Sequence, residues 1–257
     1  MSNIISSVAR ALDVLLYINS QKDPVGISTI SKDMGIYKST IFRTLATLED
    51  RHFVQQDPET GKYTLGVSLF SMANKITLYD VFVPFVKKLN LEFKETVNVS
   101  VLERSSAESY HSVVVVKEDA IDNKLSVSPQ VGAKNKCYCS SVGKCLLAFS
   151  SDISDAILKK YEFVKYSPNT IGNYEDLAKE LETVKKQGYA LDNEEQEVGL
   201  ICVGVPVFNK KGETIAAMSV SGPSQRIQQM NIDHVVTRLK AVASEITELV
   251  QTSRRTK

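Results

Sequence analysis

The sequence predicts an α+β chain: an N-terminal winged helix-turn-helix, a linker helix and a C-terminal α/β domain built on a mixed, largely antiparallel sheet. Three observations carry this prediction. A helix pattern, a short glycine-stopped helix and a longer helix follow one another before residue 52, in helix-turn-helix order. Two short strand patterns around Asp57-Pro58-Glu59-Thr60-Gly61 come next, as a wing would. From Asn98 onward the apolar period changes from helical to alternating, which marks a second domain. The expected boundaries are 1–66 for the winged unit, 67–79 for the linker helix and 80–257 for the rest.

Bulk properties narrow the class. A chain of 257 residues with 43% hydrophobic and 24% charged residues has enough apolar material for two cored domains. No apolar run approaches the roughly 18 residues that cross a bilayer. The opening stretch MSNIISSVARALDVLL reads as a helix start rather than a secretory leader. Four cysteines in a chain of this length fit reduced thiols, so a cytoplasmic protein is expected. Net charge is +1, and residues 1–66 carry seven basic and seven acidic side chains, so charge alone does not suggest nucleic acid.

In the first helix Val8, Ala11, Leu12, Leu15 and Leu16 form one stripe, with Arg10, Asp13 and Tyr17 facing away. Pro24 ends the following turn. Ser28 is the expected cap of the second helix, and Gly35 stops it. The third helix starts near Lys38 and runs to about Arg51. Its Ile41, Leu45 and Leu48 face the core, and Ser39, Thr40, Arg43 and Thr47 face away, with Lys38 at the N-terminal end. Short hydrogen-bonding side chains plus one arginine suit a close approach to base edges and phosphates, so this is the expected DNA-recognition helix. The strands Phe53–Gln56 and Lys62–Leu65 form the wing, and its tight turn brings Lys62 towards the phosphate backbone. Candidate DNA contacts are thus Ser28, Lys38, Ser39, Thr40, Arg43 and Lys62.

These segments resemble the isocitrate lyase regulator (IclR) family of bacterial transcription factors. The matching stretches are SVARALDVLLYI, GISTISKDMGIYKSTIFRTLATLEDRHFV and KYTLG. The resemblance implies that Ser39, Thr40 and Arg43 face the major groove, and that Arg10 is a further DNA-contacting arginine.

After Gly66, VSLFSMANKIT reads as a helix, and VFVPFVKKLNLEFKETV as a second one. The resemblance makes the first the linker helix, whose apolar residues would meet a second subunit. Val97, Val99 and Val101 alternate with polar neighbours, Val113–Val116 read as a buried run, and Leu125–Ser128 as a short strand. Ser140 caps a helix to Phe149, and Asn173 opens another that Gly188 ends. Two strands, Leu200–Phe208 and Thr214–Ser221, flank the Asn209–Gly212 turn, and a long helix runs from Ile232 to Val250.

The resemblance continues through VGAKNKCYCSSVGKCLLAFS, GYALDNEEQEVGLICVGVPVF and AAMSVSGPSQRI. It implies a GAF-like sensor domain that binds a small effector, a carboxylate or aromatic acid. The residue chemistry agrees. Ser140–Gly143 offers backbone amides at a helix start, an anion site. Ser219 and Ser221 share one face of a strand, and Leu200 and Cys202 one face of the next. Asp192 is placed to accept from an effector hydroxyl. The implied effector contacts are Ser141, Val142, Asp192, Leu200, Cys202, Ser219 and Ser221. Lys136-Cys137-Tyr138-Cys139 stands where members often carry Pro, His and small residues, and bulky Tyr138 is expected to resize the cleft.

Two other functional classes compete with this one. Gly143-Lys144 lacks the upstream glycine of a phosphate loop, where Tyr138 stands, and Cys145 follows in place of Ser or Thr. The three histidines, His52, His111 and His234, lie in unrelated segments, which leaves a cysteine nucleophile without a base. An enzyme is therefore not expected, nor any cofactor or metal. The alternative is a metal- or thiol-responsive regulator using Cys137, Cys139, Cys145 and Cys202, but core cysteines are the better reading of that spacing. The expected protein is a regulator, most commonly a repressor, that binds operator duplex DNA as a dimer or dimer of dimers and answers to a small-molecule effector.

Overall fold

The computed structural model describes residues 4–73, 77–103, 109–121 and 130–250. The chain divides into two compact units, Met1–Thr77 and Leu78–Lys257.

The first unit contains α1 (Ser6–Ser20), α2 (Ile27–Met34), α3 (Lys38–Asp50), the hairpin β1 (Val54–Gln56) and β2 (Tyr63–Leu65), and α4 (Val67–Ala73). Its core joins Val14 and Ile18 of α1 to Ile30, Ile41, Leu45, Leu48, Val54 and Tyr63. The hairpin is held to the helices by Val25, which exchanges backbone bonds of 3.1 and 2.8 Å with Tyr63. Two expectations are corrected here. The buried face of α1 is Val14 and Ile18, with Ala11 and Leu15 beside them, whereas Val8, Leu12 and Leu16 are exposed. Apolar residues occupy two sides of this helix, and periodicity cannot say which side meets the core. Ser28 does not cap α2: the helix begins two residues earlier than expected, Gly26 is the cap residue, and no side chain caps it. Gly35 ends α2 at φ +64°, a conformation that glycine takes without strain.

The second unit is one six-stranded sheet in the order β5-β4-β3-β8-β7-β6, antiparallel at every described pairing. Its strands are β3 (Thr96–Glu103), β4 (His111–Glu118), β5 (Lys134–Lys136), β6 (Ala190–Asn193), β7 (Leu200–Phe208) and β8 (Thr214–Pro223). The helices are α5 (Val83–Phe93), α6 (Ser141–Phe149), α7 (Asp155–Leu158), α8 (Tyr174–Gln187), α9 (Ser224–Gln229) and α10 (Ile232–Leu249). α5 stops at Phe93 rather than continuing to Val97, because Lys94 turns to φ +57° and donates its N–H to the Asn90 carbonyl. The strand then starts at Thr96, two residues earlier than expected. The expected strand at Leu125–Ser128 lies outside the described residues.

Both faces of this sheet are covered. Val97, Val99, Val203, Val205, Met218 and Val220 pack against α5 and α10 in one apolar core. The opposite face carries Thr96, Asn98, Ser100, Ser219 and Ser221 and is also buried. Val113–Val116 is not a continuous buried run: Ser112, Val114 and Val116 are buried and alternate with half-buried neighbours. A register shift lets Val116 oppose Val99 while Val114 opposes Ser100, so β4 changes faces within its length. Bidentate pairs clamp the helices: Arg238 to Glu92 at 2.7 and 2.8 Å, and Arg226 to buried Glu95.

Candidate nucleic-acid interface and ligand cavity

In the first unit the third helix keeps its expected bounds, Lys38–Asp50, with Ile41, Leu45 and Leu48 buried. Lys38, Ser39, Arg43 and Thr47 are exposed and Thr40 is half-buried, so one helix presents them together. The Thr47 hydroxyl donates to the Arg43 carbonyl and keeps its lone pairs for an outside donor. No side chain caps the N-terminus of α3, so its first amides can receive a phosphate oxygen. Tyr37 at that cap and Phe42 one turn on are exposed aromatic residues that the sequence reading passed over. The signal for Phe42 was available: it is the one large apolar side chain off the Ile41-Leu45-Leu48 stripe.

Arg10 is half-buried on α1, and Ser28 is exposed in the first turn of α2. Lys62 is exposed at the wing, beside a turn that Asp57 organises by accepting the Glu59 and Thr60 amides, both at 2.8 Å. Those two bonds hold the Asp57 carboxyl below its usual pKa.

In the second unit α6 lies over the polar face of the sheet. Ser140 caps it by accepting the Gly143 amide at 3.2 Å. That corrects the expected set of free amides: the cap takes Gly143, and Ser141 and Val142 supply the remaining first-turn N–H groups. Two glycines permit the close seat. A Cβ on Gly143 would stand 2.4 Å from the Cys137 Cα, and one on Gly204 would stand 2.9 Å from Ser141.

Beneath this helix end is a chamber of about 30 Å³ that Ser141, Val142, Asp192, Leu200, Cys202, Ser219 and Ser221 line together. The strand register explains the convergence, since Asp192 opposes Cys202, Cys202 opposes Ser221, and Ser219 opposes Gly204. The chamber also has walls the sequence reading omitted, among them Thr96, Asn98, Ser100, Asn135 and Gln196. Their signal was the run Thr96-Val97-Asn98-Val99-Ser100, in which every second residue is polar; that looks like a solvated face until a helix is known to cover it. Tyr138 does not line the chamber. It is fully buried among Tyr161 and Phe163, and its hydroxyl donates to the Val164 carbonyl and accepts the Val164 amide. Asn135, Gln196 and Leu200 line both this chamber and an adjoining outer pocket of about 510 Å³ flanked by His111, Lys134 and Lys136.

Lys144, which a phosphate loop would aim at a ligand, is buried between two carboxylates instead: Glu195 at 2.6 Å and Glu180 at 3.0 Å. Burial opposes its charge, but the two carboxylates outweigh that and raise its pKa. All four cysteines are buried, and burial pushes the thiols of Cys139 and Cys145 up to about 12, so they are poor nucleophiles. Among the described residues no group of three His, Cys, Asp or Glu side chains is arranged to hold a metal ion.

Asp192 accepts the amides of Glu195 and Gln196 on one oxygen, and its other oxygen has no partner. Burial pushes its pKa up to about 7. The native chain therefore binds more protons than the unfolded chain between the ordinary carboxylate range and that value. Stability from this group falls as pH rises through the same window. Asp192→Asn is expected to melt above the unsubstituted chain at about pH 8 and to lose that advantage by about pH 5. Thermal denaturation at the two pH values checks this, and an equal shift at both would show that charge burial is not the cause.

Comparison with known proteins places both units. The description "Bacterial transcriptional regulator IclR C-terminal" matches residues 70–248, and "IclR helix-turn-helix domain" matches residues 7–58. The chain is 31% identical over 249 residues to the HTH-type transcriptional regulator KdgR of Dickeya chrysanthemi, covering 95% of this chain and 79% of that one. It is 27% identical over 248 residues to the transcriptional repressor IclR of Escherichia coli, covering 95% and 89%. A crystal structure of an IclR homologue from Microbacterium hydrocarbonoxydans, complexed with 4-hydroxybenzoate, shares the fold with a TM-score of 0.81 at 22% identity, over 96% of this chain and 99% of that one.

Proposed function

Because the chain belongs to the IclR family of bacterial transcriptional regulators, we propose that it reads a near-palindromic operator through α3 and answers to a small organic acid held under α6. It is a transcriptional regulator of a family whose members are not enzymes. The observation that carries the DNA reading is the free face of α3, with Lys38, Ser39, Thr40 and Arg43 next to uncapped helix amides. Arg10, Ser28 and Lys62 are assigned as supporting contacts to the same duplex.

The winged unit has no net charge to draw it to DNA, so its affinity leans on pairing of two copies. Residues 67–79 are assigned as the linker; α4 supplies its helix from Val67 to Ala73, and 74–76 lie outside the described residues. An unpartnered apolar surface supports self-association: Ile5, Val8, Leu12 and Leu16 on or next to α1, and Val67 and Phe70 on α4, are all more than half exposed. A second copy of this chain is the occupant that places two recognition helices one helical turn of DNA apart. A dimer, or a dimer of dimers, follows.

The chamber with Ser141, Val142, Asp192, Leu200, Cys202, Ser219 and Ser221 is assigned to the effector, which binds one arrangement of the oligomer better than another and so alters DNA affinity. That the Microbacterium hydrocarbonoxydans homologue is complexed with 4-hydroxybenzoate supports an acid as the ligand class. Repression is the assigned outcome, because a relative is itself a repressor. Among the described residues no helix is long and apolar enough to cross a membrane, and a cytoplasmic location suits a DNA-binding regulator.

Selection of random duplex DNA by the full chain tests this reading. Enrichment of a two-fold repeat is expected, with the isolated residues 1–66 binding the selected site at least about 100-fold more weakly. Enrichment of no common sequence would overturn it.

A further inference from the structure

The free face of α3 divides into two parallel stripes, each stepping by four residues. Ser39, Arg43 and Thr47 form one, and all three side chains hydrogen-bond. Lys38, Phe42 and Ala46 form the other, turned about 100° from the first about the helix axis. After its leading cation this second stripe is apolar. All six residues are exposed, and Phe42 is exposed by 57%. The core beneath the helix takes Ile41, Leu45 and Leu48 and does not take Phe42.

Covering a phenylalanine ring stabilises a complex at least as much as one ordinary hydrogen bond does. The position of the stripe says which partner covers it. It begins at Lys38 and the uncapped amides of the helix start and runs beside Arg43, so whatever meets those groups also meets Phe42. Phosphate oxygens answer Lys38 and the amides, and base edges answer Arg43. The apolar surface assigned to self-association lies elsewhere, on α1 and α4. Duplex DNA presents one apolar group in its major groove, the C5 methyl of thymine. From Lys38 to Ala46 the helix rises about 12 Å, so both stripes run along the same three or so base-pair steps of about 3.4 Å.

We propose that Phe42, with Ala46 lengthening the same apolar surface, reads thymine methyl groups in each half-site, beside the base edge that Arg43 contacts. This rests on the DNA reading above and adds the base that the apolar stripe selects. Cytosine and the purines carry no methyl group on that edge, so the contact is lost at any base other than thymine. Arginine pairs best with the O6 and N7 of guanine. The half-site therefore combines guanine with thymine within a few adjacent base pairs.

Uracil in place of thymine removes the methyl group and leaves the hydrogen-bonding edge intact. Fluorescence anisotropy of the full chain on the selected operator, with uracil placed at each thymine in turn, tests the inference. At the contacted thymine the change is expected to cost about 4-fold in affinity per half-site, the worth of one buried methyl group, and about 15-fold with both half-sites changed. Phe42→Ala is expected to bind the thymine operator more weakly and to be indifferent to uracil at that position. Phe42→Leu, still apolar, keeps a preference for thymine. Because Phe42 stands outside the core, the melting temperature and the oligomer's mass in sedimentation should hold in both variants. Uracil without effect at every thymine, or with the same effect in Phe42→Ala as in the unsubstituted chain, would overturn the inference while the DNA reading stands. A smaller oligomer in Phe42→Ala would overturn it too, by giving the ring to a contact between copies. Selection that enriches no common sequence would overturn both.

Discussion

Replacing Lys144 with methionine is expected to destabilise the second unit by about 3–5 kcal/mol, a large share of the 5–15 kcal/mol that holds an ordinary domain together. Lys144 is 1% exposed and bonds to Glu195, whose side chain is 9% exposed, and to Glu180. Removing the ammonium leaves Glu195 buried and unpaired, in the loop that follows β6, with Asp192 three residues back in that strand. The loop itself is held rigidly: Ser167 donates to the Glu194 carbonyl, Thr170 to the Glu195 carbonyl and Asn169 to the Asn193 carbonyl. The carboxylate therefore cannot swing out to water without breaking these bonds. Urea denaturation at pH 7.5 measures the loss. Two further results follow from the cause. Burial already raises the pKa of Glu195, so the deficit shrinks as pH falls and the orphaned carboxylate takes a proton. The double variant Lys144→Met with Glu195→Gln recovers most of the loss, because no buried charge remains. A double variant as unstable as the single one would mean that the loss is one of packing.

Arg43→Ala is expected to cost at least about 30-fold in operator affinity, since an arginine reading a base edge contributes about 1–3 kcal/mol and a dimer uses two. Arg43 is exposed on α3, and the helix core is carried by Ile41, Leu45 and Leu48, so the melting temperature should hold. Fluorescence anisotropy with the selected operator measures the affinity. Unchanged affinity would move the base-reading role to Tyr37 or Phe42, the exposed aromatic residues beside it.

Much of the fold was legible locally. Gly35 and Gly188 end helices at positive φ as their positions suggested, and Ser140 and Asn173 cap helices through side-chain oxygens. Such features depend on a few consecutive residues, so a one-dimensional reading finds them. Ser28 misled because Gly26 can also cap, and the helix start moved two residues towards the N-terminus. The α1 stripe misled because two of its faces are apolar.

The cavity shows the division most clearly. By itself the sequence determined the winged unit, its Lys38-Ser39-Thr40-Arg43 face and the seven residues of the expected effector set, through spacing and through resemblance. Only the tertiary structure decided that Thr96, Asn98 and Ser100 belong with them. Alternation states that Val97 and Val99 face one way and the polar residues the other, but not what lies on either side. Once α5 and α10 cover the valines and α6 covers the polar side, an apparently solvated face becomes a buried polar chamber. Burial, which depends on contacts distant in sequence, is what gives those polar atoms a need for a partner.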